Sequence, residues 1–355
     1  MKRINRLVTI AMALASITFA TGQHHAEKAT MEATALSLEE WRSFKYGMFI
    51  HFGMATYASR PNENHPKNAQ EPSALYAPTD LDVDQWIRVA RDSGMNYAVL
   101  TAKHSAGHCL WDSKVQFRGK EFDHDIATSG NKTDVVAAFV EACEKYAVAP
   151  GLYWCLFDCR NNSVRPGLQW EKGDLPDDYF QFTQEQLAEL LNNYPEVEYL
   201  WIDIPRAASL EERTEIYNGI KEINPACVVL MNHGLEEAAN ASIANYQAAW
   251  PTDILNTERH PLNVGQFETK QTWEGEEYEL GYEHCDTICK KWFWYEGDQP
   301  RPVEDLYALY KQTTEAGGNL LLNVPPDQSG RIPDYHVNAL MEIKMRIDAS
   351  VKISE

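Results

Sequence analysis

The chain has 355 residues, of which 44% are hydrophobic, so it can bury the core of one large domain with little left over for a second. Its 52 acidic residues exceed its 32 basic residues, which gives a formal net charge of -20. Nucleic acids and anionic membrane surfaces are bound through basic patches, so this charge argues against both as partners.

The N-terminal segment has the layout of a secretory signal peptide. Three basic residues precede an apolar run over residues 7–20, and small or polar residues follow at 21 and 22. The alternative is a membrane anchor, but the run is shorter than the ~20 apolar residues that span a bilayer. We therefore expect a signal over residues 1–22, a linker over 23–36 and one catalytic domain over 37–355. The mature chain would be exported, to the periplasm or the extracellular space, without membrane insertion.

The seven cysteines are an odd number for an exported chain, so at least one thiol is free or paired between chains. Cys155 and Cys159 are four residues apart, as are Cys285 and Cys289, which raises the possibility of a metal site. This spacing differs from the usual C-x2-C pair and the surroundings are apolar, so the pattern favours buried thiols.

Short stretches rich in β-branched, aromatic and aliphatic residues recur along the chain, and helix-like segments lie between several of them. The predicted strands are residues 46–52, 97–103, 149–155, 199–204, 227–232, 252–258, 290–295 and 319–324. The clearer predicted helices are residues 82–91, 133–146, 181–191, 210–223, 303–315 and 335–347. Strand alternating with helix predicts an α/β protein, and eight such units predict a (β/α)8 TIM-like barrel. The polar stretch over 260–281 is expected to be a long loop over the active site.

Polar side chains end nearly all the predicted strands, and in such a barrel the active site is built at those ends. The residues are His51, Lys103 with His104, Tyr153 with Trp154, Asp203, Asn232 with His233, and Glu258. A ring of such residues indicates a site.

Two carboxylates on different strands of one barrel can cleave a glycosidic bond. Asp203 and Glu258 are the candidates. Asp203 ends an apolar strand, a costly position unless the carboxylate reaches water, a partner or a substrate. A structural ion pair explains the pattern equally well.

Histidines and aromatic residues near the same ends suggest a sugar site. His51 and His104 each follow an apolar strand, and Tyr153, Trp154 and Trp201 are nearby in the inferred barrel. A sugar needs hydrogen bonds to its hydroxyls and an apolar platform for its C–H face. A metal-dependent hydrolase is the alternative, but no H-x-H or H-E-x-x-H spacing is present. We expect no metal and no cofactor.

Six motifs in order resemble family 29 of the glycoside hydrolases, the α-L-fucosidases. They are KYGMFIHFG at 45–53, YAVLTAKH at 97–104, CLWDS at 109–113, GLY at 151–153, LWID at 200–203 and GNLLLNVPPD at 318–327. Segments 75–86, 285–288 and 292–295 look more like the branch selective for branched, terminally linked fucose. The resemblance implies a metal-free, retaining exo-glycosidase whose partner is a fucosylated oligosaccharide or glycoconjugate.

Residue by residue, the resemblance makes Asp203 the nucleophile. It implies sugar contacts for four further residues, listed here: His51, His104, Tyr153 and Trp201. Glu258 falls where the family's acid/base usually follows the sixth strand, and Glu283 is the runner-up.

The chain departs from the family's pattern at two places. Ser105 stands where the family usually has a second histidine, and Ile204 stands where it has a glycine after the nucleophile. These departures leave open a related sugar, such as an α-L-galactoside, or a catalytically silent glycan-binding relative. We also expect no C-terminal β-sandwich of the kind that many relatives have.

Overall fold

The computed structural model describes residues 38–58, 70–161, 175–232 and 248–354. The predicted signal, the linker and His233 therefore lie outside the described residues. Eight parallel strands form one sheet in the order β5-β4-β3-β2-β1-β8-β7-β6. Their bounds are β1 Tyr46–Ile50, β2 Tyr97–Lys103, β3 Ala149–Cys155, β4 Tyr199–Asp203, β5 Val228–Asn232, β6 Ile254–Glu258, β7 Gly281–Thr287 and β8 Asn319–Asn323. The predicted (β/α)8 barrel is confirmed.

Helices follow most of the strands and pack on the outside of the barrel. They are α1 Val83–Asp92, α2 Val135–Tyr146, α3 Asp177–Asn193, α4 Leu210–Ile223, α5 Val303–Glu315 and α6 Asp334–Ser354. All six predicted helices are present. Side chains cap three of them at the N-terminus, because Asp82, Asp134 and Ser209 each accept a hydrogen bond from a backbone N–H of the first turn.

The barrel closes between β5 and β6 through a segment that runs back beside β5. The backbone N–H of Ala249 donates to the carbonyl of Met231 at 2.9 Å, and that of Asp253 donates to the carbonyl of Val229 at 2.8 Å. Nearer the C-terminal ends of the strands, a hydrogen bond between the side chains of Asn256 and Asn232 links β6 directly to β5. The two backbone bonds satisfy carbonyls of β5 that the sheet edge would otherwise leave unpaired.

Alternate residues of most strands divide between two apolar clusters, as the two-residue period of a strand requires. One face fills the inside of the barrel, with Phe49, Tyr97 and Tyr199 among its members. The other packs against the helices, with Met48 and Leu200 among its members.

The seventh predicted strand, at residues 290–295, is wrong. The seventh strand of the barrel is β7, Gly281–Thr287, and residues 290–295 lie in the loop that follows it. The predicted long loop over 260–281 contains an antiparallel hairpin of Lys270–Trp273 and Glu276–Glu279. β7 was missed because the acidic or basic side chains of Glu283, His284 and Asp286 are buried in it, and only partners elsewhere in the chain make such a segment stable.

All seven cysteines are free thiols, and only Cys159 is not buried. Within the described ranges, no helix is long and apolar enough to cross a membrane.

Candidate active site

Asp203 is the last residue of β4 and lies at the C-terminal mouth of the barrel. Its Oδ2 accepts a 2.6 Å hydrogen bond from the phenol of Tyr153, and its Oδ1 accepts a 3.0 Å bond from Nδ2 of Asn232. Asn232 is fixed in turn by Nδ2 of Asn256, which donates to its Oδ1 at 2.9 Å. Both carboxylate oxygens are therefore held by neutral donors on the neighbouring strands.

The backbone turns sharply immediately after Asp203. Ile204 adopts φ 54° and ψ 47°, the left-handed conformation in which a glycine costs nothing and a β-branched residue is strained. The 3-10 turn Pro205–Ala207 follows directly. Ile204, which replaces the glycine expected after the nucleophile, therefore keeps the conformation of a glycine beside the carboxylate.

His51 lies just above β1 and is 3% exposed. Its Nδ1 is 2.8 Å from Oδ1 of Asn323, and Nδ2 of Asn323 donates to the carbonyl of Trp292 at 2.7 Å. Because that carbonyl can only accept, the oxygen of the Asn323 amide faces the imidazole, and Nδ1 of His51 carries the proton. Burial, followed by the nearby His104, lowers the pKa of His51 well below its ordinary value. The neutral ring leaves Nε2 as an acceptor for a hydroxyl.

Three rings form a face-to-face stack along one wall of the mouth. Tyr153 lies between Trp201, at 5.4 Å between ring centroids, and His104, at 5.1 Å with planes only 7° apart. Burial lowers the pKa of His104 to about 4, against a smaller opposite effect of Asp203. Ser105 is buried and its hydroxyl is 3.1 Å from Nδ1 of His104. The residue that departs from the family's pattern thus supports the histidine beside it.

Glu258 ends β6 and pairs in register with Cys285 of β7. The Glu258 carboxylate raises the pKa of that thiol, after the larger effect of burial, so the two groups are close. Arg259 follows with φ 65°, and its guanidinium lies 4.6 Å from the ring centroid of Trp292. The same guanidinium donates to Asp286 at 3.0 Å.

Glu283 is not in a loop beside the mouth but in β7, fully buried inside the barrel. Its Oε1 accepts from Nε1 of Trp201 at 2.8 Å and from the phenol of Tyr199 at 3.0 Å. Its Oε2 accepts from the phenol of Tyr97 at 2.9 Å. Burial raises the pKa of Glu283 to about 7, although the three donors act in the opposite direction. A carboxyl group enclosed in this way cannot reach a bond at the mouth, which favours Glu258 over the runner-up Glu283 as the acid/base.

Trp154 and Lys103 are two further sequence candidates that the structure does not bring to the mouth. Trp154 is fully buried in the cluster between the barrel and the helices. Nζ of Lys103 lies 4.1 Å from its ring centroid, and Lys103 also pairs with the buried Asp158 at 3.1 Å. Tyr153 and Trp154 are consecutive in a strand, so only one of them can face the barrel interior.

Sequence reasoning missed Trp292 and the amide of Asn323, which together hold His51. The ring centroid of Trp292 lies 5.1 Å from that of His51. The signal for Asn323 was available, since it is a polar residue that ends an apolar strand. The predicted strand over 290–295 conceals the true position of Trp292, which lies in a loop at the mouth.

No group of three or more His, Cys, Asp or Glu side chains in the described part of the chain is arranged to hold a metal ion.

Comparison with known proteins shows which family the sequence matches. A family model described as Alpha-L-fucosidase matches residues 13–346. The chain is 26% identical over 313 residues to alpha-L-fucosidase 1 of Arabidopsis thaliana, covering 85% of this chain and 58% of that protein. The chain thus spans little more than half the length of this curated relative.

Solved structures have the same fold. A putative alpha-L-fucosidase from Bacteroides thetaiotaomicron superposes with a TM-score of 0.71 at 25% identity, covering 88% of this chain and 67% of that one. A second structure from that organism, a trapped covalent intermediate of a family-29 alpha-L-fucosidase with 2-fluoro-fucosyl fluoride, has a TM-score of 0.69 at 20% identity and covers 88% and 74%.

Proposed function

Because the chain belongs to the α-L-fucosidase family, we propose that it is a retaining exo-glycosidase that removes terminal α-L-fucose from oligosaccharides or glycoconjugates. The observation that carries the proposal is Asp203, an oriented carboxylate at the mouth of the barrel beside two neutral imidazoles and an aromatic wall. The neutral imidazoles suit hydrogen bonds to sugar hydroxyls, and the rings suit the apolar face of a sugar.

The reaction proceeds in two displacements. Asp203 attacks the anomeric carbon, and the bond from that carbon to the leaving oxygen breaks while Glu258 gives this oxygen a proton. In the second step Glu258 takes a proton from water, whose oxygen displaces Asp203 from the same carbon. A covalent fucosyl-enzyme forms between the two steps. The relative trapped with 2-fluoro-fucosyl fluoride supports this course, since its structure holds such an intermediate.

The preference for branched, terminally linked fucose and the exported location extend the proposal. The first rests on segments 75–86, 285–288 and 292–295, and the second on the signal-like residues 1–22. Comparing release from branched and linear fucosylated oligosaccharides tests the first. N-terminal sequencing of the protein recovered from the periplasm or medium tests the second.

A panel of 4-nitrophenyl glycosides tests the reaction itself. We expect release from the α-L-fucoside, and proton NMR at early times should show the α anomer of fucose before mutarotation. Preference for the α-L-galactoside would identify a related sugar. Binding of a fucosylated glycan with no release from any member of the panel would identify a glycan-binding protein instead. Initial release of the β anomer would refute the retaining mechanism.

A further inference from the structure

Glu283 presents a problem that the proposed reaction does not solve. It is a carboxyl group with no exposed surface, in the interior of the barrel, and all three of its donors are neutral. Burying such a group costs free energy even when its hydrogen bonds are satisfied, and apolar residues of similar volume are often as stable or more so. The contribution of Glu283 therefore lies in the side chains that its hydrogen bonds hold in position.

The group it holds most directly is Trp201. An indole has a single donor, Nε1–H, and in Trp201 this donor points at Oε1 of Glu283. That bond fixes the rotation of the ring about its side-chain bonds. The face of Trp201 then supports Tyr153, which is enclosed on its other face by His104. Tyr153 is the residue that donates to Asp203.

We propose that Glu283 is a positioning residue, which holds the Trp201 indole so that the stacked Tyr153 keeps its phenol on the carboxylate of Asp203. The proposal rests on the proposed function, because it concerns the geometry of the proposed nucleophile. Tyr97 donates to the other oxygen of Glu283, Oε2, whereas Tyr199 shares Oε1 with Trp201. Trp41 makes edge contacts with both tyrosine rings, at 6.3 and 5.8 Å between centroids. Gly47 leaves the space that the Tyr97 ring occupies, since a Cβ at residue 47 would lie 2.3 Å from that ring.

The test measures the nucleophile alone. With 2-fluoro-fucosyl fluoride, Asp203 forms a bond to the anomeric carbon while the bond to fluorine breaks and fluoride leaves with its electron pair. Fluoride needs no proton from Glu258, so the rate of labelling at saturating reagent, followed by intact mass, reports the attack by Asp203. The reagent concentration that gives half this rate reports sugar binding separately. Four variants are compared with the wild type: E283Q, E283M, E283D and Y199F.

We expect Glu283→Gln to label within about threefold of the wild-type rate, because its amide oxygen still accepts from Trp201. Glu283→Met has no such acceptor and Glu283→Asp withdraws it by one methylene, so both should label roughly 10- to 100-fold more slowly, as small misplacements of reacting groups do. Tyr199→Phe removes the second donor to Oε1 but keeps the bond from Trp201 to that oxygen, so it should label like the wild type.

Labelling at the wild-type rate by folded E283M or E283D would overturn the proposal, and so would Y199F slowed as much as they are. Should E283M fail to fold, E283D alone decides. A wild-type protein with neither fucosidase activity nor labelling would refute the proposed function itself, a different outcome from a labelled wild type with unaffected variants.

Discussion

Tyr153 donates a 2.6 Å hydrogen bond from its phenol to Oδ2 of Asp203. The phenol stays protonated, because burial and then the adjacent carboxylate raise the pKa of Tyr153 above its ordinary value. The bond therefore orients the carboxylate as an acceptor, with one oxygen on Tyr153 and the other on Asn232. Donors on the two neighbouring strands thus set the angle of the Asp203 carboxylate at the mouth of the barrel.

Asp203→Asn should lower kcat on an aryl α-L-fucoside by several orders of magnitude, because an amide cannot form the covalent intermediate. Circular dichroism and the thermal midpoint should stay close to those of the wild type. Asp92→Asn, an exposed acid on α1, is the matched control and should keep full activity. Near-normal turnover by the Asp203 variant would remove Asp203 from the mechanism.

Tyr153→Phe should lower kcat roughly 10- to 100-fold, the range expected when a hydrogen bond to a charged group, worth about 1.5–3 kcal/mol, is lost. The ring remains, so its stacking on Trp201 and His104 is retained. Tyr146→Phe is the control, since it removes a 2.7 Å phenol bond to Asp84 far from the mouth. Steady-state kinetics decide the matter: equal effects in both variants would show that the bond has no catalytic importance.

Glu258→Ala should lose far more activity on a natural glycan than on an aryl fucoside with an acidic phenol, because only the poor leaving group needs a proton. Added azide should then restore turnover and give a fucosyl azide of retained configuration, identified by NMR. Glu283→Gln serves as the control and should show neither effect, since Glu283 is enclosed in the barrel. Azide rescue of the Glu283 variant alone would contradict the assignment.

Glu283→Gln should change the pH dependence of stability. Burial raises the pKa of Glu283 to about 7 from the ordinary 4.5, so the folded wild type holds a proton between these values that the unfolded chain has lost. The stability that Glu283 contributes is complete below pH 4.5 and is lost as the pH rises through 7.

The Gln variant does not titrate, so its free energy of unfolding relative to wild type should increase from about pH 4.5 to 7, by at most about 1.4 kcal/mol per pH unit, and level off above. Urea unfolding at pH 5, 6, 7 and 8 measures the difference. A constant difference across this range would show that Glu283 does not titrate as stated.

Incubation with EDTA should leave fucosidase activity unchanged, because two carboxylates complete the reaction without a Lewis acid. Activity before and after dialysis against the chelator gives the answer. A loss reversed by zinc or calcium would require a metal in the mechanism.

The sequence determined the barrel, most of its strands and some of the side chains at the mouth. An apolar strand buried on both faces is visible as a continuous run of residues, and a polar residue at its C-terminal end is conspicuous, as at Asp203 and His51. These features depend on local order along the chain. They were therefore readable before any contact between distant segments was known.

Tertiary structure decided the rest, because burial and facing depend on partners remote in sequence. β7 has buried ionisable residues, and only donors on β2 and β4 make Glu283 tolerable there. Tyr153 and Trp154 are adjacent aromatic residues that suit a sugar site equally well, but a strand sends consecutive side chains to opposite faces. Register against neighbouring strands turned Tyr153 toward Asp203 and Trp154 toward the helices, and no local pattern could have made that choice.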